Sequence, residues 1–270
     1  MERGHGRSPY LLIHAAMVYS YLYAPIVVLI AYSFNKSKRN AIWTGFTLDW
    51  YRELMANTEV LSALGKSLEV ALASTAIATV LGTLSALALA RYRFRAKSAY
   101  TTAIYVPMVT PEVVMGVALL TLFVAANVTL SLTTVILAHA AFSTSFVTVV
   151  VRARLAGYDR TLDEAAADLG ANPLEVFFRV TLPLILPGIV AGALLAFTIS
   201  LDDFVISFFN SGAGATTLPI KVYSMIKFGV SPVINCASTV MLALTLSLML
   251  FSHLMERRHA PAGARPSERA

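Results

Sequence analysis

Three carboxylates stand inside apolar runs of this chain: Glu112, Asp202 and Asp203. A charge placed in hydrocarbon is costly and is usually retained for function. Glu112 lies about nine residues into an apolar stretch, roughly 14 Å deep at a rise of about 1.5 Å per residue. Pro107 and Pro111 beside it should kink that stretch and free backbone groups. Asp202 and Asp203 lie six to seven residues from the end of another stretch, roughly 10 Å below that face. No Lys or Arg inside the apolar runs offers an obvious partner. Unpaired carboxylates along a path suit a cationic solute. They would equally suit pairing with another subunit, protonation, or hydrogen bonds to freed backbone. Adjacent helical residues point about 100° apart, so Asp203 is a weaker candidate for the same path than Asp202. Phe204 and Tyr223 could hold an alkyl-ammonium group by cation–π contact, or simply pack.

Other chemistries find little support. Cys236 is the one cysteine, which excludes a disulfide framework or CxxC site within the chain. His139 and His253 each stand without metal-ligand spacing and read as hydrogen-bonded packing residues. Ser143, Thr144 and Ser145 are expected to bond to their own helix. No nucleophile, base and acid are arranged for catalysis, so no catalytic or metal residue is assigned. No GxxxxGK[ST] phosphate loop occurs, so ATP hydrolysis is not expected on this chain.

A second cluster lies in the segment from Arg152 to Pro183. Structureless loops above about 15 residues are uncommon, so this one should fold. Thr161 and Glu164 have capping-box spacing, which predicts a helix starting there. Gly170 is placed to end it. Asn172 followed by Pro173 restarts a helix, with Asn as cap and Pro in the first turn. Leu174, Phe177, Phe178 and Thr181 continue at helical spacing. The expectation is two short helices with a bend, exposing apolar surface unless something docks on them.

The elements that carry these residues follow from composition. Of 270 residues 57% are hydrophobic and 13% charged, and the mean hydropathy is +0.70. Soluble chains are about 45–50% apolar and about 25% charged. Six stretches reach the roughly 20 apolar residues that a spanning helix needs. They run over about 10–34, 67–90, 103–125, 132–151, 184–209 and 233–255. With the N-terminus inside, fourteen of the 21 Lys and Arg fall on inner segments and seven outside. That ratio places both termini in the cytoplasm. The net charge of +6 is then mainly a topology signal, and nucleic acid is not an expected partner. The first span is too long for a signal peptide and reads as a retained helix. Short helices are expected in the outer loops, near Phe46–Met55 and from about Thr217 to Phe228. Gly188 and Gly192 form GxxxG, a close-packing face, possible toward a second subunit. The division expected is 1–65 for the first span and outer loop, 66–256 for the core, and 257–270 for a disordered basic tail.

The loop resembles the signature of permease subunits of binding-protein-dependent ABC importers. Glu164, Ala165 and Ala166 are followed by Gly170 at the family offset, and Val180, Leu182 and Pro183 close the pattern. The runs Ser200–Ser207 and Leu218–Ile226, with Gly229–Asn235, are similar to the second membrane subunit of spermidine/putrescine importers. The run Leu87–Phe94 also fits this family. The resemblance implies an all-α fold with six transmembrane helices and a cytoplasmic two-helix coupling loop, the type I importer permease fold. It implies that Glu164, Ala165, Ala166, Gly170, Leu182 and Pro183 meet a pair of ATP-binding subunits, which carry ATP and Mg; no cofactor is expected on this chain. It further implies a non-identical second permease subunit, an extracytoplasmic substrate-binding protein, and a place in the cell inner membrane. Its substrates would be polyamines, passing Glu112, Asp202, Asp203, Phe204 and Tyr223. The Ser200–Asp203 run is shared with permeases of neighbouring substrate groups, so a same-family permease for another solute, such as an organophosphonate, iron or an opine-like cation, is the alternative. An ion-driven secondary transporter would need inverted repeats, and a membrane enzyme would need a reactive cluster; neither is visible.

Overall fold

The computed structural model describes residues 9–38, 42–228 and 232–259. Among them every regular element is helical; the one extended pairing is an isolated bridge between Asn35 and Phe46. The chain forms two compact units, Met1–Leu61 with Val222–Ala243, and Ser62–Lys221 with Leu244–Ala270.

The first unit contains α1 (Pro9–Ser33) and α2 (Asp49–Ala56). Helix α1 is apolar all round, and no part of its apolar window is buried. Such a surface needs lipid or another chain as its solvent. Helix α2 is the short outer-loop helix expected from the sequence. Tyr51 ties it back to α1 through the Ser33 hydroxyl, 2.7 Å away, and its ring lies tilted by 33° against Phe34 with centroids 5.2 Å apart. Trp50 Nε1 donates to the Asn35 carbonyl at 2.8 Å.

The second unit is built on three helices. These are α3 (Thr58–Arg91, which starts in the first unit), α6 (Leu132–Ala156) and α9 (Leu182–Asp202). They meet through small residues. Ala78 and Ala86 of α3, Val147 and Val151 of α6 and Ala196 of α9 share one buried cluster. A Cβ at Gly82 would lie 2.6 Å from Val147 Cβ, and one at Gly188 would lie 2.7 Å from Arg154 Cβ. A Cβ at Gly192 would lie 3.3 Å from Val147 Cγ1. The GxxxG face is thus occupied within the chain, by α6, and is not free for a second subunit. Close backbone approach replaces the hydrophobic driving force that lipid cannot supply.

Two spans expected to be continuous are broken. The third divides into α4 (Lys97–Val109) and α5 (Glu112–Ala125), bent by 115°. Pro111 forces Thr110 into extended backbone, with φ −72° and ψ 132°, because a residue before proline avoids the helical region. The fifth ends at Asp202 and resumes as α10 (Val205–Asn210). Helix α10 packs with α5 and α6 around Phe123, Ala138, Phe142 and Ile206. Its end is pinned by Asn210 Nδ2 donating to the Gly116 carbonyl at 3.2 Å. The Thr134 hydroxyl donates to the Asn210 carbonyl at 2.8 Å.

Among the described residues four helices are long and apolar enough to cross a membrane, five if the bent α4–α5 pair forms one span. The last expected span is α12 (Pro232–His259), a helix of 28 residues. Before it, α11 (Leu218–Phe228) is the second outer-loop helix; the Leu218 N–H is held by Ser67 Oγ at 2.8 Å. Helix α12 carries Arg257 and Arg258, so the basic tail begins as helix; 260–270 lie outside the described residues.

Filling the closest approach is the test of this packing. Gly82→Leu is expected to destabilise the chain by about 1–3 kcal/mol through overpacking, read as a lower melting midpoint in detergent. Gly65→Ala, where nothing lies within 4 Å, should leave that midpoint level or raise it slightly, because alanine favours a helix interior.

Candidate functional site

The inner loop folds into α7 (Thr161–Asp168) and α8 (Pro173–Val176). Helix α7 starts where expected, but the cap differs. The Asp159 carboxylate accepts from the Thr161 N–H at 3.0 Å and the Thr161 hydroxyl at 2.9 Å. These bonds hold the Asp159 carboxyl below its ordinary pKa. Thr161 therefore serves as a donor and does not form a capping box with Glu164. Gly170 ends α7 with φ +92°. Its N–H reaches the Ala167 carbonyl at 2.9 Å, and Ala171 N–H reaches the Ala166 carbonyl at 3.1 Å, a Schellman ending that needs a left-handed residue. Asn172 caps α8 as expected, and Glu175 completes a capping box by accepting from the Asn172 N–H at 3.0 Å.

The second short helix is not a separate unit. It passes through a π turn, Phe177–Thr181, directly into α9. Pro173 to Asp202 is one continuous helical rod of 30 residues. Leu182 and Pro183, the closing residues of the sequence signature, sit in its first α9 turn.

On α7, Glu164, Ala165 and Gly170 are exposed and Ala166 is half-buried. Leu162, Leu169 and Leu174 are exposed apolar residues beside them. This outward face is what a docking partner would cover. The inward face is carried by Asp163, which the sequence reading passed over. Asp163 Oδ2 accepts from Arg91 Nη2 at 2.6 Å. Its Oδ1 accepts from the Thr181 hydroxyl at 2.9 Å and from the Tyr158 hydroxyl. Arg91 also donates to Thr181 Oγ1 at 2.8 Å. Burial, then donation to Asp163, hold the Tyr158 hydroxyl above its ordinary pKa, so it remains a donor at neutral pH. Nearby, Arg160 donates to the Ala90 carbonyl at the end of α3. The sequence signal was available: an acid one position before Glu164 turns about 100° away from it.

The membrane carboxylates separate into two kinds. Asp203 points inward, with its side chain 6% exposed. It accepts from the Ser207 N–H at 2.8 Å and the Ile206 N–H at 3.3 Å. It thereby caps α10 at the break. His139 Nε2 lies 3.2 Å from Asp203 Oδ2 and 2.9 Å from Ser207 Oγ. His139 Nδ1 lies 2.7 Å from Ser200 Oγ, which in turn meets Ser74 Oγ at 3.0 Å. The reading of Asp203 as unpartnered is thus corrected: its partner is a histidine one helix away. Asp202, one residue earlier, is exposed, as is Glu112 in the first turn of α5. Neither has an ion-pair or hydrogen-bond partner among the described residues. Both acids stand beside a helix break, where freed backbone groups and a helix terminus are available to a polar solute. At Glu112 the helix N-terminus also favours the negative charge. Phe204 lies in the break itself, near Phe208 with ring centroids 5.3 Å apart. Tyr223 lies on α11, in the first unit, and is 44% exposed.

Residues 78–261 match the family described as binding-protein-dependent transport system inner membrane component. The putrescine transport system permease protein PotI of Escherichia coli K12 is 45% identical over 243 residues, 87% of this chain and 86% of its own length. The spermidine/putrescine transport system permease protein PotC of Haemophilus influenzae is 42% identical, covering 90% of this chain and 95% of its own. Among solved structures, a bacterial ABC transporter that imports alginate aligns with a TM-score of 0.73 over 93% of this chain and 95% of that one, at 16% identity. An amino acid ABC transporter aligns at a TM-score of 0.62 over 79% of this chain and 100% of that one, at 19% identity. At those identities the likeness is one of fold. The chain is a transport component, not an enzyme, and belongs to the family of inner membrane permease components of binding-protein-dependent transport systems.

Proposed function

We propose that this chain is a membrane subunit of an ATP-driven polyamine importer, with spermidine and putrescine as substrates. The observation that carries the substrate class is the pair of exposed, unpaired carboxylates, Glu112 and Asp202, each beside a helix break. The names of the PotI and PotC relatives support the same class. A polyamine carries several ammonium groups along a flexible chain. Spaced carboxylates with no cation of their own attract such a chain electrostatically, and Phe204 and Tyr223 offer aromatic faces. Asp203 supports the path by fixing the break that presents Asp202.

ATP and Mg are handled on two partner subunits that dock on Glu164, Ala165, Ala166 and Gly170. The coupling is then a two-state equilibrium of the membrane part, biased by nucleotide on another chain. A second, non-identical permease subunit completes the pathway, and a binding protein delivers the polyamine from outside. Both termini lie in the cytoplasm, because that orientation puts the larger share of Lys and Arg inside.

In vesicles holding the full assembly, Glu112→Gln and Asp202→Asn should each lower spermidine uptake roughly tenfold, the equivalent of about 1.4 kcal/mol of lost attraction. Uptake at the parent level in both variants would remove these acids from the path. Asp203→Ala should instead act on stability, costing about 1–2 kcal/mol as a lost helix cap, seen as a lower melting midpoint. Glu164→Arg and Gly170→Pro should abolish uptake while membrane insertion, followed by fractionation and blotting, is unchanged. Normal uptake in both would contradict docking at α7.

A further inference from the structure

We propose that Asp163, with Arg91, Tyr158 and Thr181, is the joint through which displacement of α7 reaches the membrane helices. This rests on the reading of α7 as a docking helix, and it assigns the transmitting residues behind that face.

Helix α7 buries none of its side chains. Apolar packing therefore ties it only weakly to the spans. Its inward attachment is the Asp163 carboxylate, with the Arg160 bond to Ala90 beside it. The partners of Asp163 come from three different membrane helices. Arg91 is the last residue of α3, Tyr158 follows the end of α6, and Thr181 is the last residue of the π turn that opens α9. One carboxylate thus gathers the inner ends of the three helices that form the packed unit.

The bonds suit the task. A guanidinium–carboxylate contact of 2.6 Å is short, charge-assisted and directional. Thr181 closes a ring: its hydroxyl accepts from Arg91 and donates to Asp163, and it is fully buried. Side-chain exposure is 29% at Arg91 and 20% at Asp163, so the pair is shielded from most competing water. The π turn at Thr181 is the kind of local irregularity that often marks a functional point in a helix. From there α9 runs unbroken to Asp202, roughly 32 Å at 1.5 Å per residue. A tilt imposed at Thr181 is thereby delivered at the break that carries the exposed acid. Glu164, one position along and turned about 100° away, is exposed, so attachment and transmission fall on adjacent residues.

The test uses the complete assembly, with its ATP-binding subunits, reconstituted in vesicles. Asp163→Asn keeps the shape and removes the charge; Arg91→Gln removes the other partner. Each variant should retain the ATP-binding subunit on co-purification and hydrolyse ATP within about twofold of the parent, while spermidine taken up per ATP hydrolysed falls roughly tenfold. Combining Arg91→Asp with Asp163→Arg should recover part of that ratio. Loss of the ATP-binding subunit, or uptake and hydrolysis falling in proportion, would reduce Asp163 to an anchor and overturn the proposal. A ratio unchanged in both single variants would overturn it as well. A second readout needs no solute. Spin labels on Ala167→Cys and Arg93→Cys, with buried Cys236 left in place, report the spacing between α7 and the end of α3. That spacing should be unchanged by ATP in the parent and should change when Asp163→Asn is added. A spacing that shifts with ATP in the parent shows a loose joint and refutes the proposal. A rigid spacing with ATP hydrolysis but no spermidine uptake would refute the polyamine reading and leave the joint standing.

Discussion

A carboxylate in a medium of low polarity must be bonded by protein or opened to a polar path; leaving it buried and alone costs more than a membrane protein can carry. This constraint sorts the acids of the chain and with them the architecture. Asp203 is buried and is met by His139 and two backbone N–H groups. Asp163 is mostly shielded and is met by Arg91, Tyr158 and Thr181. Glu112 and Asp202 are exposed, and both sit where a helix is interrupted. The bonded acids hold the structure in shape, and the open acids are the ones proposed to meet a solute.

The two helix breaks and the tight three-helix unit serve each other. Breaking α4 from α5 and α9 from α10 frees backbone groups that lipid could not satisfy. Those groups are tolerable only if the surrounding helices are held firmly. Small residues provide that firmness: Gly82, Gly188 and Gly192 let α3 and α9 approach α6 to van der Waals contact. Asn210 and Thr134 then fasten the far end of α10. One helical run from Pro173 to Asp202, with a π turn and Pro187 inside it, joins the loop after α7 to one of these breaks.

Much of this was legible in the sequence, for physical reasons that differ by residue. Apolar length disclosed the spans, and Gly170, Asn172 and Pro173 disclosed the loop, because each residue type has few backbone states it favours. The loop signature disclosed the family. What stayed hidden depended on long-range contact. The pairing of His139 with Asp203 joins residues 64 positions apart, and nothing local announces it. Asp163 was hidden by its neighbour Glu164, which carries the motif. The GxxxG face was legible as a packing face, but not its occupant: α6 fills it, since periodicity shows that a face is small without showing what lies against it. Pro107 and Pro111 signalled a kink, but the 115° bend depends on Thr110 leaving the helical region altogether.

The central claim is that ATP bound elsewhere drives polyamine through this chain. The most direct measurement is uptake of labelled spermidine by vesicles containing the chain with its co-expressed partner subunits and binding protein, with and without ATP on the cytoplasmic side. Saturable uptake that requires ATP and is suppressed by unlabelled putrescine is the result expected. Uptake driven by an ion gradient in vesicles lacking the ATP-binding subunit would contradict the account.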